Sequence, residues 1–195
     1  MPSITPALTG PSRIFSQMSR TNPYKRPRRA VKATALLVVE GETEEAFCKY
    51  LKIEYNRDCG LAVTIHNAYG FSPDSIIEQA RKQCCQKSFD RVFILMDEDF
   101  EITLQKSHRT VRSLRAVIWR SGPQCIEGFF LKLLGKNPPA TSKECKREFH
   151  KVALSETEKL ERESYKKILP RIALEELRSF HPHLNNLIKL FSNNL

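Results

Sequence analysis

Carboxylates sit where two apolar runs of this chain end. "LLVVEGETEE" (36–45) reaches Glu40 and then Glu44, and "FILMDEDFE" (93–101) reaches Asp97 and Asp99. In an extended chain, residues two apart point the same way, so Asp97 and Asp99 face one spot and Glu98 faces elsewhere. Glu44 falls in the first turn of a following helix, within reach of that spot. Glu42, Glu45 and Glu98 read as solvated. Carboxylates that converge in a partly buried cleft repel one another and lose hydration. A divalent cation with a preference for oxygen, Mg²⁺ or Mn²⁺, relieves both costs and bridges to phosphate oxygens. The spacing points to a metal seat made by Glu40, Glu44, Asp97 and Asp99 that receives a phosphate. Glu40 would act as a ligand or as a general base for water.

Strands and helices must bring these groups together. "TALLVVE" (34–40) is a continuous apolar run ending in acid, as in a strand buried on both faces. Residues 42–55 carry Ala46, Phe47, Tyr50, Leu51 and Ile53 near helical spacing. "LAVTIHNA" (61–68) reads as a second strand. A second helix opens with Ser72 as cap, Pro73 at the first helical position and Asp74 against the positive helix end. Ile76, Ile77, Ala80 and Cys84 form its inner stripe. "RVFILMD" (91–97) is a third strand, followed by a helix over 101–112, the short strand "RAVIW" (115–119) and a helix over 124–134. The last places Ile126, Phe129, Phe130, Leu133 and Leu134 on one face. This alternation implies a parallel sheet with helices on both faces, whose sites form beyond the carboxyl ends of the strands.

After Asn137-Pro138-Pro139 the pattern is helical only. Thr141 with Glu144 and Ser155 with Glu158 have capping-box spacing, and Leu184, Leu187, Ile188 and Phe191 repeat at helical intervals. The chain divides into a basic arm (1–33), an α/β core (34–137) and a helical extension (138–195) packed on the core.

The 195 residues are 41% hydrophobic and 28% charged, an ordinary globular composition, with a net charge of +10. Residues 1–39 hold seven basic residues and no acid, leaving 25 basic and 22 acidic residues for the rest. Proline, serine and threonine mark the arm as flexible. Its "YKRPRR" segment makes Lys25, Arg26, Arg28 and Arg29, with Lys32, candidates for nucleic-acid phosphates. Met18 is an alternative start. No apolar run approaches a membrane span, no secretory signal is evident, and the six cysteines include no CxxC pair. A cytoplasmic protein with reduced thiols and no zinc site is the expectation. His181 and His183 read as a solvated pair.

"LLVVEGETEEAF" together with "VFILMDEDFE" resembles the TOPRIM domain, the core shared by topoisomerases, bacterial primases and OLD-family nucleases. The resemblance maps that family's glutamate to Glu40 and its paired aspartates to Asp97 and Asp99. The "EGETE" form is similar to the OLD-nuclease-like and RloB-like branches and adds Glu44 as a ligand. "PYKRPRRAVKATALLVVEG", "GFSPDSIIEQA" and "SGPQCIEGFFLKLLG" extend the resemblance to the RloB-like group and add Glu127. Two departures stand out: "DEDFEIT" lacks the glycine that commonly follows the aspartates, and Phe129 stands where a tryptophan is frequent.

The resemblance implies a TOPRIM-like α/β fold and a Mg²⁺- or Mn²⁺-dependent nuclease cutting DNA or RNA. It implies an effector subunit of a bacterial anti-phage defence system. The chain has no phosphate loop, so an ATPase would be a separate partner. Lys132 and Lys166 are candidates to balance transition-state charge. The alternative is a non-catalytic TOPRIM-like binding or regulatory subunit. A receiver-like phosphoacceptor role for Asp97 lacks the paired acids that such a site needs after the first strand.

Overall fold

The computed structural model describes residues 33–56, 60–70, 72–98 and 101–193. The arm residues Lys25, Arg26, Arg28, Arg29 and Lys32, and also Asp99, lie outside them. Four parallel strands, β1 (Ala33–Val39), β2 (Leu61–Asn67), β3 (Arg91–Asp97) and β4 (Val117–Ser121), form one sheet in the order β2-β1-β3-β4. Helices α1 (Glu42–Tyr55), α2 (Pro73–Gln86), α3 (Gln105–Leu114) and α4 (Ile126–Leu133) follow the four strands in turn. Then come α5 (Ser142–Val152), a 3₁₀ turn (Glu158–Leu160), α6 (Arg162–Ile168), α7 (Arg171–Leu177) and α8 (Pro182–Ser192). Among the described residues no helix is long and apolar enough to cross a membrane.

The central strand β1 shows why the sheet is buried on both faces. Ala35, Leu37 and Val39 join Phe93, Leu95 and Trp119 in a large core under α1, α4 and the helices α5 to α8. Leu36 and Val38 join Val92, Ile94 and Met96 in a smaller core under α2 and α3. Period-two alternation thus feeds two apolar layers, which is why the strand sequence is apolar throughout. Phe149, Tyr165, Leu174, Leu187 and Phe191, all from beyond residue 137, belong to the larger core.

The entry to α2 is as its sequence suggests: Ser72 Oγ accepts from the Ser75 amide at 3.4 Å, with Pro73 at the first helical position. Ile76, Ile77 and Ala80 are buried and Cys84 partly so. Ser155 and Glu158 form a reciprocal box, but over a 3₁₀ turn and not an α-helix. Three boundaries differ from the sequence reading. Helix α3 starts at Gln105 and not near 101, because the Asp74 carboxylate takes up the Thr103 hydroxyl and the Thr103 and Leu104 amides. Strand β4 begins at Val117 and not at Arg115, which adopts a left-handed conformation (φ 50°) that ends α3. Helix α4 begins at Ile126, because Gln124, also left-handed (φ 60°), turns the chain before it. The shift of β4 extends it to Ser121, which pairs in register with Asp97.

Candidate functional site

Strand pairing sets the ends of β1 and β3 side by side. Glu40 follows β1 directly, and its Oε2 accepts from the Asp97 amide at 2.9 Å. Asp97 closes β3 and is 6% exposed. Its Oδ1 accepts from Ser121 Oγ at 2.7 Å and from the Ile126 amide at 3.2 Å. Ile126 opens α4, so a helix N-terminus places its partial positive charge against this carboxylate. The backbone around it is fixed as well, since the Arg120 guanidinium donates to the Asp97 carbonyl at 3.1 Å.

Glu44 comes from the first turn of α1 and is buried. Burial pushes its carboxyl up to about 8, and the Asp97 charge adds to this. Its own backbone hydrogen bond opposes the rise, while Glu127 and Glu40 reinforce it. Three carboxylates from three other elements therefore act on Glu44. Gly41 gives this side chain its place: a Cβ there would lie 3.1 Å from Glu44 Oε2, tighter than ordinary contact.

Glu127, in the first turn of α4, is 2% exposed. Its Oε1 lies 3.4 Å from Lys159 Nζ, and its Oε2 is buried without a hydrogen-bond partner. Native proteins rarely leave such an atom unsatisfied, and each case calls for an explanation. Lys159 Nζ is also 3.4 Å from His150 Nε2, and His150 Nδ1 is 2.9 Å from the Leu154 carbonyl. With the proton on Nδ1, both contacts are hydrogen bonds. A second ammonium belongs to the same field. Burial pulls Lys146 down, but Glu127, Cys125, Asp97 and Glu44 outweigh it and hold Lys146 above its ordinary value. The buried Tyr165 hydroxyl lies 2.7 Å from the Lys159 carbonyl and 3.3 Å from the Thr43 carbonyl, linking the extension to the start of α1.

Glu40, Glu44, Asp97 and Glu127 thus meet at the carboxyl edge of the sheet. Glu42 and Glu98 are exposed, and Glu45 bonds Lys49 at 2.7 Å. Of the two lysines suggested by sequence, Lys132 lies in the last turn of α4, where it acts on His181. Lys166 is exposed on α6. The ammonium group beside the acids is instead that of Lys159, and Lys146, exposed on α5, lies within their field. Nothing in the spacing of Lys159 singles it out, because only the docking of the extension brings it there. Ser121 was also missed, although a serine at the end of a strand next to an acid-tipped strand is a signal of the right kind.

The acids supply only hard oxygen donors, which suits Mg²⁺ or Mn²⁺, and Glu127 Oε2 is a buried acceptor awaiting a positive partner. Even so, no three His, Cys, Asp or Glu side chains among the described residues are poised to hold one ion. Comparison with protein-family models, curated proteins and solved structures found no match.

Proposed function

We propose that this chain is a TOPRIM-like, Mg²⁺- or Mn²⁺-dependent nuclease that hydrolyses phosphodiester bonds of DNA or RNA at the carboxyl edge of its sheet. One observation carries the reading: four carboxylates from β1, α1, β3 and α4 converge, one held neutral by burial and its neighbours, another with an unsatisfied buried oxygen. A fold bears this cost where a cation offsets it. Asp97, Glu44 and Glu127 would hold the ion, with Asp99 as a further ligand and Glu40 as ligand or general base. A bound divalent ion supplies charge for the phosphoryl oxygens and acidity for the attacking water. Ser121 and the Ile126 amide fix Asp97 in one orientation. Glu44 would hold such an ion as the carboxylate, without the proton that burial otherwise keeps on it. Lys159 sets positive charge beside the acids, where an incoming phosphate needs it.

The resemblance in sequence supports the same edge of the same sheet as the site, and with it a separate ATPase partner and a role in bacterial defence against phage. A second reading, metal binding or docking without turnover, is favoured by the absence of three poised donors among the described residues. One experiment separates the two. Purified protein is incubated with DNA and with tRNA in Mg²⁺ or Mn²⁺, beside the Asp97→Asn and Asp97→Ala variants. Cleavage lost in both variants, with the Trp119 emission of the folded chain retained, supports the nuclease. Manganese binding without cleavage supports the second reading. Undiminished cleavage by the variants removes Asp97 from the chemistry.

A further inference from the structure

Helix α3 carries no acid, and neither does the whole stretch 102–126 around it, which contains Lys106, Arg109, Arg112, Arg115 and Arg120. Lys106, Arg109, Arg112 and Arg115 are exposed. None of these four is in an ion pair among the described residues. Some cations elsewhere are paired, Lys49 with Glu45, Arg81 with Glu78 and Arg178 with Glu175; α3 differs in having four exposed cations and no acid of its own. Glu78, which faces Lys106 across the α2–α3 cleft, is itself bonded to Arg81. A row of uncompensated cations on one helix repels itself and is stabilised by an external polyanion.

The remaining faces of α3 indicate which polyanion. Val111 and Leu114 are turned in against the smaller core, so the helix has no apolar face left to enter a lipid surface. No Phe, Tyr or Trp occurs between 105 and 115 and His108 is the one small ring there, so α3 lacks the row of large aromatic rings on which single-strand binders stack successive bases. What remains is a short basic helix. Its ten residues span about 15 Å, close to four nucleotide rises of one strand in a duplex. The helix follows the loop that leaves Asp97, so it starts from the edge that holds the acids.

We propose that α3 is the docking surface for the phosphate backbone of a nucleic-acid duplex, with Lys106, Arg109, Arg112 and Arg115 as its contacts. It rests on the phosphodiester reading of the acidic site and names the substrate form for it. The test is fluorescence anisotropy with labelled duplex and single-stranded DNA and RNA in EDTA, across a salt series. The variants are Lys106→Gln/Arg109→Gln/Arg112→Gln and, as a control of equal charge, Lys49→Gln/Arg81→Gln/Arg178→Gln. Loss of three phosphate contacts should flatten the log–log salt slope by about 2 to 3 and weaken duplex binding on the order of a hundredfold at 0.1 M salt. The control should change the slope by less than about 1. Restoring charge with Lys106→Arg/Arg109→Lys/Arg112→Lys should restore the slope. Equal losses in both triple variants, an unchanged slope in the α3 variant, tighter binding of single strands, or binding of anionic lipid vesicles in place of duplex would each overturn the proposal, as would no duplex binding at all. Duplex binding through α3 without any metal-dependent cleavage would end the nuclease reading alone and leave the docking surface standing.

Discussion

Replacing Glu44 with Gln tests the convergence of the acids without relying on catalysis. The folded chain holds the Glu44 proton up to about pH 8, against an ordinary value of 4.5. Between those values the native state binds one proton more than the unfolded chain. The stability it contributes is complete below pH 4.5 and is lost as pH rises through 8. At about 1.4 kcal/mol per pH unit, most of this interval lies between pH 5 and 8, and the loss there is roughly 3 to 4 kcal/mol. Gln has nearly the same shape and cannot ionise, so Glu44→Gln should lack this part of the pH dependence. Urea titrations in EDTA at both pH values, followed by emission of the only tryptophan, Trp119, give the two slopes. Trp119 is suited to this because it is buried and stacked on Phe93 at 4.8 Å between ring centroids. All other ionisable groups are common to both proteins and cancel in the difference. With a urea m-value near 2 kcal/mol/M, the wild-type midpoint should fall by about 2 M more than that of the variant. If the two proteins lose stability in parallel, within about 1 kcal/mol, Glu44 is not surrounded by like charge and the cluster is an error.

Lys159→Met should leave the 2%-exposed Glu127 without its ion pair and cost about 3 kcal/mol in urea titrations without metal, with part of the loss recovered on adding Mn²⁺. Ser121→Ala removes a buried 2.7 Å bond to Asp97 and should cost about 1.5 to 3 kcal/mol by the same measurement. Tyr165→Phe frees the Lys159 carbonyl and should cost about 1 kcal/mol, with faster amide hydrogen exchange in the 3₁₀ turn and at the start of α1. Saturating Mn²⁺ at a hundred times its dissociation constant should add about 2.7 kcal/mol to wild-type stability and much less to Asp97→Asn.

The sheet was legible because its strands are continuous apolar runs separated by helical periods, a pattern that only a covered parallel sheet satisfies. Glu40 and Asp97 were legible for the same reason, since strand ends mark the edge where a site can form. The boundaries that slipped were set by side chains remote in sequence. Asp74 decides where α3 begins, from 29 residues away, and no local signal at Thr103 records it. Arg115 and Gln124 hold left-handed conformations that glycine or asparagine would have signalled. Lys159 was illegible because a lysine in a short polar turn looks solvated unless the docking of that segment is known.

That docking changes what the helical extension is for. Seen from composition alone, 138–195 is a set of helices that cover apolar surface, and Leu187, Ile188 and Phe191 do so. The polar contacts give a second purpose. Of the hydrogen bonds that join it to the α/β core, those of Tyr165 and Lys159 run to Thr43 and Glu127, the elements that carry two of the four acids. A carboxylate cluster on a bare sheet edge would be open to water, which would screen its repulsion and leave Glu44 near its ordinary value. Burial under the extension removes that screening and raises Glu44. Lys159 then compensates part of the charge, and the unsatisfied oxygen of Glu127 remains as the demand for a cation. The extension and the acidic edge are thus one device, and the tension between them is what a divalent ion would release.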